Sequence, residues 1–290
     1  MDLVTFAPRF PRPGETVVGN SFLTYTGGKG ANQAVAVSRM GARSAMVGRV
    51  GGDIFGPQLL DGLTTAGVDI TGVGINPNDM SGIAVIGIDE TAQNCITQIL
   101  GANDNCGPAE AAEVKHRLPS AAALLLQLEV SIDLSLEVAR EAKTLGVMVM
   151  LDPGPVRPVP KELLNLCDVI TPNETEAQAL VNFPVTSPES ASEAALVLLD
   201  MGIGTVVIKL GAQGAYFANS SIGGLVLPFD VAAMDSVAAG DAFNGALAVS
   251  LTEGKDLREA VTIACAAGAL SVTKPGAQDS MPKRELVEEL

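Results

Sequence analysis

Tryptophan is missing from this 290-residue chain, tyrosine occurs twice and histidine once. With aromatics at only 3%, there is no array of rings on which single-stranded nucleic acid would stack. Basic residues are outnumbered, 18 against 33 acidic ones, and the net charge of −15 opposes binding to any polyanion. An anionic small molecule is admissible only where helix ends, a metal ion or a few lysines make a pocket locally positive. No apolar run reaches membrane-spanning length. The longest, about Ala260 to Val272, is broken by Thr262, Gly268 and Ser271 and reads as a buried helix. The amino terminus lacks the charged-then-apolar order of a signal peptide, so a cytoplasmic location is expected. Cys95, Cys106, Cys167 and Cys265 form no CxxC pair and read as free, mostly buried thiols. His116 stands between Lys115 and Arg117 in a polar helix, a poor setting for the base of a Ser-His-Asp or Cys-His mechanism.

What is present is a large apolar fraction, 47%, enough for a sizeable core, and 31 glycines for tight turns. From about Ala121 onward, apolar strands alternate with helical patterns. Ala123–Gln127, Val147–Leu151, Val169-Ile170 and Thr205–Ile208 read as strands; Leu134–Thr144, Glu174–Leu180 and Glu189–Met201 read as helices. This rhythm predicts an α/β fold with a parallel sheet between helices, whose ligands sit beyond the C-terminal strand ends. Glu129, Asp152, Asn173 and Gly211 fall there. Residues 14–26 and 82–100 break the rhythm. Thr16-Val17-Val18 and Ile83–Ile88 are their clearest strand-like stretches, and together they read as a small antiparallel patch suited to a lid or a subunit contact.

Asp235–Gly245 (DSVAAGDAFNG) places a small-residue turn and a carboxylate at the start of an apolar helix. Bare backbone N–H groups in such a turn hold an anion, and Asp241 stands beside them as a proton acceptor; an ordinary Asp helix cap is the competing reading. Gly27–Gln33 (GGKGANQ) opens another helix. It is not a Walker A loop, its two glycines permit close approach of a ligand, and Lys29 and Asn32, three apart, project from one side of the first turn. No GxGxxG follows a strand, which disfavours a dinucleotide cofactor. Asn173 and Glu176 have the spacing of a capping box, or of groups organising a hydrated Mg²⁺ near phosphates. Lys209–Gly214 reads as a hairpin turn or a shelf for a flat ring.

These segments, with Gly48–Gly56 (GRVGGDIFG), Gly101–Asn103, Gln127–Glu129 and Gly276–Gln278, occur in the order found in the ribokinase-like, or PfkB, carbohydrate kinases. The chain resembles that family over essentially its whole length. The resemblance implies a single three-layer α/β/α domain over residues 1–290, with a mainly parallel central sheet and a β-lid from the 14–26 and 82–100 segments. It implies ATP as phosphoryl donor and the 5-hydroxyl of D-ribose as acceptor. Deoxyribose, a nucleoside, a ketohexose, or binding by an impaired relative remain the alternatives. Asp241 would be the general base, with Ala238, Ala239 and Gly240 forming an anion hole through backbone N–H groups. Asp2, Gly28, Lys29, Asn32 and Glu129 would hold sugar hydroxyls. Asn173, Lys209, Gly211, Gly214 and Gly240 would serve the nucleotide, and Asn173 and Glu176 the Mg²⁺ region. Asp235, Val237, Ser271, Lys274, Gly276 and Ser280 would ligate K⁺, mostly through backbone oxygens. A homodimer through the lid is implied as well. The family begins with a buried strand ahead of its first sugar-binding aspartate. The sequence starts at Met1-Asp2, so that core strand is expected to be missing, Asp2 to fray, and sugar affinity and stability to be reduced.

Overall fold

The computed structural model describes residues 1–91 and 93–290. In chain order its elements are β1 (Asp2–Phe6), β2 (Ser21–Tyr25), α1 (Lys29–Arg39), β3 (Ala45–Gly51), α2 (Phe55–Thr65), β4 (Asp69–Asn76), β5 (Ile83–Ile88) and β6 (Asn94–Ile99). There follow α3 (Pro108–Arg117), β7 (Ala123–Gln127), α4 (Ile132–Thr144), β8 (Met148–Asp152), α5 (Lys161–Leu166), β9 (Val169–Ile170), α6 (Glu174–Val181) and α7 (Pro188–Asp200). The chain closes with β10 (Thr205–Lys209), β11 (Ala215–Asn219), β12 (Gly223–Val226), α8 (Ala239–Thr252), α9 (Leu257–Ser271) and α10 (Arg284–Glu289).

The main sheet has the order β12-β11-β10-β9-β8-β7. Strands β7 to β10 run parallel, and β11 and β12 add antiparallel edges, so the sheet is mixed rather than uniformly parallel. Alternation along each strand builds the three layers. Val149 and Leu151 of β8, with Val206 and Ile208 of β10, join Val138, Leu163, Ala177 and Ala191 of the α4–α7 layer. Met150 and Val207, between them in sequence, face Phe243, Leu247, Val261 and Ala264 of α8 and α9. Both helical layers are rich in alanine at the contact, which brings helix and sheet close. Helix α9 covers most of the apolar Ala260–Val272 run, and Cys106, Cys167 and Cys265 are buried with thiols pushed up to about 11, 12 and 12 by desolvation. Cys95 is exposed.

Two smaller sheets complete the molecule. β3 and β4 form a parallel pair joined by α2, and among the described residues this pair shares no ladder with the main sheet; α1 packs against both β3 and β7. The lid has the order β2-β1-β5-β6. It departs from the expected antiparallel patch in three respects. Asp2–Phe6 supplies its central strand; β1 and β5 run parallel; and Thr16-Val17-Val18 forms no strand, the edge being Ser21–Tyr25 instead. Nor does Asp2 fray. Met1 is only 5% exposed, its amino group donates to the Gly82 carbonyl at 2.9 Å, and Asp2 is paired on both sides with Tyr25 and Ala84.

Candidate active site

The carboxyl ends of β7, β8 and β10, the amino ends of α1, α6 and α8, and one face of the lid converge on a single polar cluster. Helix α1 starts abruptly. Gly28 is its first flanking residue at φ +97°, a left-handed conformation that disfavours any Cβ, and a Cβ on Gly27 would lie 2.3 Å from Asp2 Oδ2. The glycine pair therefore does two things: it turns the chain into the helix and lets the lid carboxylate of Asp2 come against it. The Lys29 N–H then donates to Glu129 Oε2 at 2.9 Å, joining the helix start to the residues after β7.

Helix α8 starts on Ala238, held at φ +59°, a left-handed conformation that costs roughly 1–2 kcal/mol in a non-glycine residue. Asp241 lies in the first helical turn, yet its carboxylate caps nothing. It accepts instead from Asn32 Nδ2 at 2.9 Å and Gln33 Nε2 at 3.0 Å on α1. Among the described residues the N–H groups of Ala238 and Gly240 meet no protein acceptor, and that of Ala239 reaches Ser236 O only at 3.4 Å. The turn thus presents unpaired donors beside a carboxylate that is 5% exposed. Burial, aided by the nearby Asp152, pushes the Asp241 carboxyl above its usual range against the opposing pull of Lys29, Asn32 and Gln33.

Asp152, which ends the apolar strand β8, organises the other side. It is 1% exposed and accepts from Lys29 Nζ at 2.8 Å, Lys209 Nζ at 3.1 Å and Gln33 Nε2 at 3.0 Å. Burial opposes its charge, but Lys209 and Lys29 outweigh burial and hold its carboxyl below the ordinary range. Gln33 is the hinge of the whole arrangement. Its amide nitrogen bridges Asp152 and Asp241 while its oxygen accepts from Gln127 Nε2 at 2.6 Å. Motif spacing assigns a role to neither Asp152 nor Gln33; the signal that marks Asp152 in sequence is a charged residue closing a buried apolar strand at the ligand end of the sheet.

The lysines also relocate one expectation. The resemblance groups Lys29 with the sugar ligands, but its ammonium lies among Asp152 and Glu176, the latter 3.9 Å away, so only its backbone N–H faces Glu129. Lys209 comes within 3.4 Å of where a Cβ on Gly240 would sit, placing a cation beside the α8 turn. These two ammonium groups supply local positive charge in a strongly acidic chain. Asn173 and Glu176 form a reciprocal capping box at α6: Glu176 N–H to Asn173 Oδ1 and Asn173 N–H to Glu176 Oε2, each 2.8 Å. Lys209 N–H donates to Pro172 O, and Gly211 faces Glu174, so the turn after β10 abuts α6. Gly214 is turned away; its missing Cβ makes room for Val226 O on β12.

The two segments with the expected cation ligands also meet. Asp235 Oδ1 accepts the Val237 N–H and Oδ2 the Gly276 N–H, each at 3.0 Å, while the Asp235 N–H donates to Val272 O. Ser271 and Ser280 turn their hydroxyls onto the carbonyls of Gly268 and Ala277, and Lys274 lies in the same loop. This loop pair adjoins the left-handed turn at Ala238.

A lid over a three-layer α/β/α core, with a buried carboxylate beside unpaired N–H donors at one helix start, is the equipment of a phosphoryl-transfer enzyme for small hydroxylated acceptors. The pfkB family carbohydrate kinase model matches residues 1–284, and the chain belongs to that family. It is similar to ribokinase from Haemophilus influenzae, 39% identical over 98% of this chain and 93% of that one. It is also similar to deoxyribokinase from Salmonella typhi, 33% identical over 100% and 95%. In structure it matches Arabidopsis thaliana ribokinase complexed with ribose and ATP, with a TM-score of 0.91, 33% identity, and coverage of 99% of this chain and 94% of that chain.

Proposed function

We propose that this kinase transfers the γ-phosphoryl group of ATP to the 5-hydroxyl of D-ribose, giving ribose 5-phosphate and ADP. The observation that carries the reading is Asp241: a buried carboxylate at the start of α8, uncommitted to capping, beside the free N–H groups of Ala238 and Gly240. The acceptor hydroxyl gives its proton to Asp241 as its oxygen bonds to the γ-phosphorus and ADP departs. The N–H groups of the turn and the α8 dipole offset charge on the transferring group, the main task of an enzyme catalysing this reaction. A base with a raised proton affinity takes the proton more readily near neutral pH.

Asn32 supports a polyhydroxylated acceptor. Its Oδ1 is buried with no partner among the described residues, and a sugar O–H would satisfy it. Asp2, Gly28 and Glu129 border the same space. Ribose is favoured by similarity to ribokinases, whereas a deoxyribokinase among the relatives makes 2-deoxyribose the second reading. ADP release with D-ribose, 2-deoxyribose and a ketohexose separates them. A kcat/KM for D-ribose no higher than for the other two would refute the ribose assignment.

Mg²⁺ would accompany the nucleotide phosphates. The capping box leaves Glu176 Oε1, 3.9 Å from Lys29 Nζ, and the second lone pair of Asn173 Oδ1 to accept from metal-bound water, a set that suits a hydrated ion. K⁺ would sit between the Asp235–Val237 and Ser271–Ser280 segments, whose carbonyls suit a hard cation. Turnover in KCl against tetramethylammonium chloride tests this. A second copy of the chain is inferred to cover the outer face of the lid, which exposes Phe22, Val85 and Ile99. Sedimentation of wild type and V85D checks it. With ATP as the donor, a cytoplasmic location goes with this function. Among the described residues no helix is long and apolar enough to cross a membrane.

A further inference from the structure

The lid strands are in register so that Tyr25, Asp2, Ala84 and Gln98 form one row across the sheet. Cross-strand partners share a face, and Asp2 identifies it, because its carboxylate lies against Gly27 at the start of α1. Gln98 points at the site from the far edge strand, and its Nε2 donates to Glu129 Oε1 at 2.6 Å. The other Glu129 oxygen takes the Lys29 N–H. Among the described residues this is the only side-chain hydrogen bond that β6 makes, although all six of its residues are exposed. Gln98 belongs to none of the sequence motifs.

A hydroxyl inserted between Gln98 Nε2 and Glu129 Oε1 accepts from the amide and donates to the carboxylate. Both protein groups stay satisfied, so the exchange leaves no polar group stranded. An acceptor without that hydroxyl leaves the direct Gln98–Glu129 bond in place and gains nothing from Gln98. We propose that Gln98 is a specificity-determining lid residue. It latches β6 to Glu129 in the sugar-free protein and passes its hydrogen bond to one hydroxyl of the bound acceptor. The proposal rests on the acceptor being a sugar held at Glu129, as in the function proposed above.

Two measurements on Q98L and Q98A decide it; β6 is an exposed edge strand, so neither substitution reaches the core. First, amide hydrogen exchange of β5 and β6 without sugar is expected to accelerate roughly tenfold, the effect of one lost hydrogen bond. Exchange equal to wild type overturns the latch, and this measurement requires no substrate. Second, the KM for D-ribose is expected to rise about tenfold with kcat changed less than twofold. For either 2-deoxyribose or 3-deoxyribose, whichever lacks the bridging hydroxyl, variant and wild type should then share one KM. A KM rise equal across all three sugars, or a loss confined to kcat, overturns the specificity role. If wild type phosphorylates none of them, the ribose assignment fails, while the exchange result still stands for or against the latch.

Discussion

Replacing Asp241 with asparagine is expected to make this protein nearly inactive and, at neutral pH, more stable. The Asp241 carboxyl is buried and its proton affinity is raised by desolvation and by Asp152. The folded protein therefore binds that proton more tightly than the unfolded chain, whose aspartate titrates near 3.8. The stabilisation linked to the group is complete below that value and lost as pH rises through the folded one, so at pH 7 the ionised side chain is a net burden. Asparagine removes the charge and keeps the size. Two donors, Asn32 Nδ2 and Gln33 Nε2, face the position. One can bond to the new Oδ1, while a flip of the Asn32 amide brings its unpaired Oδ1 to the new Nδ2. Each tenfold difference in proton affinity between folded and unfolded chains is worth about 1.4 kcal/mol, and its sign here favours the asparagine variant at pH 7. For a chain of this size each kcal/mol gained raises Tm by roughly 2 °C. Loss of the base should lower kcat by about 10²–10⁴-fold. Denaturant titrations at pH 7 and near pH 4, with ADP release, measure both. The stability gap should shrink at the lower pH. Turnover within fivefold of wild type would remove Asp241 from the mechanism, and a variant less stable at pH 7 would show the buried charge to be well compensated.

Gly27→Ala would drive a Cβ into the Asp2 carboxylate, so the KM for the acceptor should rise about tenfold or more, for a lost charge-assisted hydrogen bond, with little change in Tm; isothermal titration with ribose checks it. Asp152→Asn leaves Lys29 and Lys209 without their shared counter-charge. The cost should be about 2–3 kcal/mol in urea unfolding at pH 7, below the ~3–5 for a fully buried pair because both lysines reach solvent. Since the lysines hold the Asp152 proton affinity down, that contribution is present above the ordinary aspartate range and fades as pH falls through the folded value. An unchanged urea midpoint would contradict it.

The second half of the fold was legible because its central strands β8, β9 and β10 are buried along most of their length. Ala123–Gln127 and Val169-Ile170 coincide with their predicted bounds, and Thr205–Ile208 extends by one residue. The lid was harder. Strands β2 and β6 are exposed along nearly their whole length, so burial imposes no strong alternation on them, and β1 is recognisable only through its partners. Within the site, Gly28, Asn32, Glu129 and Asp241 were legible from motif spacing. Asp152 was legible only as a residue at the ligand end of a strand, and Gln33 and Gln98 had no role assigned, because their importance lies in contacts between segments 31 to 208 residues apart.

Among the described residues, the lid sheet shares no hydrogen-bonded ladder with the sheet that carries Asp152 and Lys209. In the function proposed above, Asp2 and Gln98 of the lid border the acceptor together with Asn32 and Glu129 of the body, while the base and the lysines belong to the body alone. Drift in the lid can change which sugar is admitted without moving the base, the lysines or the turn at Ala238. Such a division lets a lineage explore new acceptors one exposed residue at a time while its chemistry stays intact.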